Sequence, residues 1–150
     1  MGNTPAYQFS PITQATFDMN KYEGMWYKVF DSSSNTGCNS MIVFCFVTGT
    51  TLNMTTYCIV DSKLARHEQA YATTPNRYDP SKLVVKKEGI LGSTSNYWIY
   101  YTDYINFAIV GDGKLNKTTN GSNYFVLARK SKLTPELEQR IQNEIVKHAI

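Results

Sequence analysis

The chain reads as an all-β protein: an eight-stranded antiparallel up-and-down barrel with one C-terminal α-helix packed outside it. Three observations predict this class. Eight short runs rich in β-branched and aromatic residues follow one another, joined almost throughout by short turn-forming connections. Eleven Tyr, seven Phe and two Trp make 13% of the 150 residues aromatic, a composition that favours strands over helices. A helical apolar period appears only near the C-terminus.

Taken in order, the runs place strands at 25–31, 41–48, 51–60, 64–73, 81–87, 96–102, 105–111 and 123–129. Two polar stretches, 31–39 and 111–122, read as longer loops. Gly49-Thr50 suits a two-residue turn with glycine at its first central position. That turn pairs Met41, Val43, Cys45 and Val47 with Cys58, Thr56, Met54 and Leu52 on one nearly apolar face. The opposite face then carries Asn53, Thr55 and Tyr57 beside Ile42, Phe44 and Phe46. A three-residue loop would turn Asn53 inward, so the two-residue register buries fewer polar groups. Phe44 and Phe46 face outward in it, as a contact for a homo-oligomer would. The helix is expected at 134–148, with Thr134 as N-cap, Pro135 in the first position and Leu137, Ile141 and Ile145 on one stripe. No linker divides the chain, so residues 1–150 are expected to form one domain: an extension at 1–16, a barrel at 17–129 and the helix.

Composition narrows the function. Hydrophobic residues at 42% supply a core, and a net charge of +3, without a basic block, gives no case for nucleic acid. No apolar run approaches the roughly 18–20 residues of a membrane span. The N-terminus lacks a charged segment followed by an apolar one, which leaves a cytosolic protein or a mature secreted form restarting at an added Met. Sequons at Asn53, Asn116 and Asn120 lean toward the secreted or lumenal case. Nothing in the sequence calls for a metal or a cofactor.

Three stretches resemble the lipocalin family, particularly its apolipoprotein D and bilin-binding branch. Phe17-Asp18, Lys21-Tyr22, Gly24 and Trp26-Tyr27 are similar to the family's Gly-x-Trp motif at the first strand. Tyr97 through Tyr104 resembles the second motif with its Thr-Asp-Tyr turn, here Thr102-Asp103-Tyr104. Phe125 through Arg129 resembles the last strand with its closing arginine, followed by a Leu-Thr-Pro-Glu helix start; Asp79 through Leu83 resembles the approach to the fifth strand. The resemblance covers residues 17–148. Physical expectations agree with it: Arg129 over the Trp26 indole, Gly24 giving the chain room to pass, and Asp103 accepting backbone N–H bonds in a tight turn would together seal one end.

What the resemblance implies is a calyx that binds and transports a small hydrophobic molecule of the fatty acid, sterol, retinoid or tetrapyrrole class. Alternation and resemblance together put Met41, Val43, Cys45, Met54, Ala70, Ala72, Leu83, Val85, Tyr97, Ile99, Tyr101, Phe107 and Phe125 inward, with Ala70, Ala72 and Ala108 leaving room. Glu68 falls on the same face and is a candidate polar anchor or a rim residue. His67, where haem-carrying members of the family supply a ligand, points outward by alternation. The 31–39 loop would lie over the mouth as a lid.

The cysteines leave alternatives open. The resemblance implies a bridge from Cys38 to a cysteine beyond the helix, and the 150 residues hold none there; a Cys38–Cys58 bridge would require the strand register to slip. An isomerase of the family uses a thiol near this strand. No Lys, Arg or His adjoins Cys38 or Cys45, so inert thiols are expected, and a non-enzymatic carrier rather than an isomerase or a ligand-free structural barrel.

Overall fold

The structure is a computed structural model that describes residues 11–32, 37–89, 93–116 and 121–150. Eight antiparallel strands close into a barrel in simple sequence order: β1 (Gly24–Asp31), β2 (Ser40–Thr48), β3 (Thr51–Val60), β4 (Lys63–Thr73), β5 (Lys82–Lys87), β6 (Thr94–Thr102), β7 (Phe107–Asn116) and β8 (Gly121–Ala128). Helix α1 (Pro135–Lys147) lies outside, and a 3-10 turn at Met19–Tyr22 leads into β1. Closure pairs β1 with β8.

The β2–β3 hairpin has the two-residue register, with Cys45 opposite Met54 and Val47 opposite Leu52. Gly49 takes φ +60° in its turn, which a side chain would disfavour. Phe44 and Phe46 point outward, 46% and 40% exposed. Asn53 is on that outer side too, yet it is buried, because its amide donates to the Phe46 carbonyl and the Thr48 hydroxyl. Its sequon side chain is therefore engaged within the fold.

The last two strands differ from the sequence reading. The predicted loop at 111–122 is largely sheet: Leu115 pairs with Ser122 and Asn116 with Gly121 beyond an irregularity after Gly111. Gly, Lys and Asn send no strand signal, but the ladder still satisfies their backbone groups. At the other end β7 begins at Phe107 rather than 105. The Asp103 carboxylate captures the backbone N–H groups of Ile105, Asn106 and Phe107, which holds that stretch in a turn. Residues 117–120, within the predicted loop and two of the sequons, lie outside the described residues, as do 33–36 of the predicted lid.

Two apolar clusters result. One lies inside the barrel, built on Trp26, Tyr22, Leu52, Leu83, Ile99, Val110 and Leu127. The other lies between the barrel wall and the helix: Tyr100, Phe107, Ile109 and Val126 against Ile141, with Leu137 and Ile145 alongside. Thr134 caps α1 by accepting from the Leu137 N–H, and Glu136 and Glu138 in its first turn complement the helix dipole. Residues 11–14 are tied down against the barrel and the helix end. Gln14 bonds to β6 through its backbone N–H and again through its side-chain oxygen, and Ile12 meets His148 through backbone and ring. His148 also reaches Glu144 at 3.2 Å and sits beside the Tyr101 ring.

Candidate functional site

One end of the barrel is sealed by side chains. Trp26 is fully buried, its indole N–H donates to the Tyr22 carbonyl, and the Arg129 guanidinium lies 3.6 Å from its ring centroid. Arg129 also donates to the carbonyls of Tyr104, Met25 and Lys21, which stitches β8 to both ends of the opening segment. Gly24 has φ +111°, and a Cβ there would stand 2.9 Å from Arg129 Nη1. Glycine is needed on both counts. Burial raises the pKa of Asp103, but bonds from the Asn106 backbone and side chain, the Phe107 N–H and Arg140 outweigh it, and the carboxyl sits below its ordinary range.

The other half of the barrel is hollow. A cavity of about 540 Å³ opens among Met41, Val43, Met54, Ala70, Val85, Tyr97, Phe125 and Leu127, with Lys28, Thr56, Arg66, Glu68, Lys87, Ser95 and Asn96 toward its mouth. This volume falls in the range typical of small-molecule sites. A smaller hollow of about 230 Å³ lies between the helix and the outer wall, lined by Val29, Tyr124, Leu133 and Ile145. It is a shallow seam between packed elements, whereas the larger one occupies the centre of the closed sheet.

Of the residues singled out in the sequence, Met41, Val43, Met54, Glu68, Ala70, Val85, Tyr97 and Phe125 come together around the cavity. Cys45, Ala72, Leu83 and Ile99 face inward but lie deeper, packed in the interior cluster around Trp26 and Tyr22. Alternation gives the face of a residue and not its depth along the barrel. Ala108 is likewise sealed in that packing and leaves no open space.

Tyr101 and Phe107 are corrections. Both lie on the outer side, their ring centroids 5.4 Å apart, in the cluster beneath the helix. A register shift between Ile99 and Tyr101 breaks the alternation of β6, so Tyr100 and Tyr101 both join the outer cluster. In β7 it is Ala108 and Val110 that point in, while Phe107 and Ile109 meet the helix.

Lys28, Arg66, Lys87, Ser95 and Leu127 also line the cavity and were not among the residues assigned inward from the sequence, whereas Thr56 lies on the inner face expected of the β2–β3 pair. Each shares strand parity with a residue already assigned inward: Lys28 with Trp26, Arg66 with Glu68, Lys87 with Val85, Leu127 with Phe125. The polar ones among these residues give the cavity a polar mouth. There the Lys28 ammonium lies 4.7 Å from the Phe125 ring centroid and pairs with Asp31. Glu68 and Lys87 are 3.7 Å apart, both about half exposed. Glu68 is thus a rim residue with a lysine partner. His67 faces outward against Tyr57.

Cys38 and Cys58 form a disulfide, with Cα atoms 5.5 Å apart. This corrects the expectation that such a bridge needs a slipped register. Cys38 precedes β2, and the Asn39 N–H bond to the Ile59 carbonyl folds the chain over the end of β3. Cys45 remains a buried thiol whose pKa burial pushes up to about 12, with Arg129 only partly opposing.

No protein-family model matches the chain. Solved structures do. Insecticyanin from the tobacco hornworm Manduca sexta aligns with a TM-score of 0.74 at 14% identity, over 94% of this chain and 78% of its own. Lobster apocrustacyanin A1 aligns with a TM-score of 0.67 at 16% identity, over 99% and 88%. The cockroach allergen Per a 4 aligns with a TM-score of 0.66 at 17% identity, over 93% and 85%. These are lipocalins, and the chain has the lipocalin fold.

Proposed function

We propose that the protein binds and carries a small hydrophobic molecule in its calyx. The observation that carries this reading is the cavity of about 540 Å³ inside a closed sheet, apolar along its wall and bordered by polar groups at one end. Transfer of apolar ligand surface from water into it is favourable by about 25 cal/mol per Å². The Tyr97 and Phe125 rings, with Met41, Val43, Met54 and Val85 beside them, suit a flat or elongated molecule better than a compact polar one.

A carrier fits the chemistry of the site better than an enzyme. Cys45, the one cysteine left as a thiol, is buried, is held by burial in its protonated form, and does not line the cavity. A nucleophilic thiol needs the opposite environment. The Cys38–Cys58 bridge favours an oxidising, secreted or lumenal location.

The test is to purify the chain natively, record its absorption spectrum, extract the protein with organic solvent and identify the released molecule by mass spectrometry. A stoichiometric apolar compound, or displacement of a fluorescent lipid probe by one, is the expected result. A barrel that yields no compound and takes up no probe would overturn the reading.

A further inference from the structure

We propose that the ligand carries a proton-free acceptor oxygen at its inner end, a ketone, aldehyde, ester or amide carbonyl, and that the Tyr97 hydroxyl donates a hydrogen bond to it. This names the ligand class within the calyx reading and rests on that reading.

Tyr97 lines the cavity and also belongs to the packed interior cluster, where its hydroxyl stands 2.8 Å from that of Tyr22, and neither has another hydrogen-bond partner among the described residues. Burial pushes both phenols above their ordinary range, so both keep their protons at neutral pH. The pair therefore holds two donor protons and uses one.

Where the other proton points follows from the surroundings. Tyr22 is wholly enclosed, its ring packed on Phe17, Trp26 and Tyr97. If Tyr97 donated to Tyr22, the Tyr22 proton would be sealed away from water with nothing to accept it, at the full desolvation cost of a hydroxyl. With Tyr22 as donor, the remaining proton belongs to Tyr97, which lines the cavity while being only 9% exposed. The hollow thus has an apolar wall and one unspent donor at its inner end.

A donor of this kind selects by chemistry. A carboxylate would have to leave water for a single neutral partner among Val43, Met54 and Phe125, while the cations that suit it, Arg66 and Lys87, lie at the mouth. A hydroxyl could accept from Tyr97, but it would bring a further proton with no acceptor. A carbonyl oxygen meets the donor and adds no unsatisfied group.

The test uses two flat molecules differing by one carbonyl, fluorene and 9-fluorenone, titrated into the full chain and into Tyr97→Phe and Tyr22→Phe variants. Tyr97→Phe should lower the affinity ratio of fluorenone to fluorene by about tenfold, the worth of one hydrogen bond. Tyr22→Phe should keep the ratio, because Tyr97 retains its proton. The carbonyl stretch of bound fluorenone should lie below its value in alkane solvent in the wild type and return to it in Tyr97→Phe. A ratio that Tyr97→Phe leaves alone, or an unshifted stretch in the wild type, overturns the inference and leaves the calyx reading standing. Failure of both molecules to bind the wild type overturns the two together.

Discussion

The two ends of this barrel are built from the same strands by opposite means. At the floor, large rings are fully enclosed and each charge is engaged several times over. Arg129 covers Trp26 and donates to three carbonyls, and Asp103 accepts three backbone N–H groups as well as Asn106 and Arg140. At the mouth, Ala70 and Val85 leave space, and Glu68 meets Lys87 at 3.7 Å with both half in water. Such an exposed pair contributes little to stability. The difference teaches that closure and capacity are separable: one end keeps the sheet wrapped, and the other is free to vary with the ligand.

Substitutions can break that separation or sharpen it. The largest effect is expected from Trp26→Ala, which empties the middle of the floor and should cost about 3–5 kcal/mol in denaturant unfolding. Removing the Cys38–Cys58 bridge with Cys38→Ser and Cys58→Ser should cost about 3 kcal/mol by the same measurement. This is the one mouth feature expected to rival the floor, because it acts on the unfolded chain as much as on the folded one. Gly24→Ala forces a side chain into a left-handed backbone and against Arg129, at about 1–3 kcal/mol.

Asp103 supplies a pH signature. Its folded pKa is depressed, so its stabilisation is present above the unfolded value of about 3.9 and is lost as pH falls through the lower folded value. Asp103→Asn should therefore flatten the stability profile between about pH 4 and the onset of acid unfolding, as followed by thermal melts. Smallest of all, Glu68→Gln should leave stability within about 0.5 kcal/mol of wild type. A large loss there would show that the mouth carries structure after all.

Much of this was written in the sequence. The β2–β3 register follows from keeping Asn53 off the inner face, and the Gly24, Trp26 and Arg129 floor follows from residue types that have few other uses in such an arrangement. The misses have specific causes. Tyr101 and Phe107 were placed inward by a strict two-residue period, which the irregularity after Ile99 and the turn held by Asp103 interrupt. Lys28 and Arg66 were not among the residues assigned inward, although long side chains reach from an inward backbone position to the rim.

By itself the sequence determined which faces are apolar, where the chain turns and how one end closes, since side-chain period and turn chemistry are local properties. Only the tertiary structure decided depth. It placed Cys45 and Ala72 within packing, left Ala70 and Phe125 beside open space, and brought Cys38 to Cys58 without moving a strand. It also set the Tyr22 hydroxyl against that of Tyr97 across 75 residues of sequence. Depth and such meetings depend on how strands from the whole chain stagger around a closed ring, and no local pattern encodes that stagger.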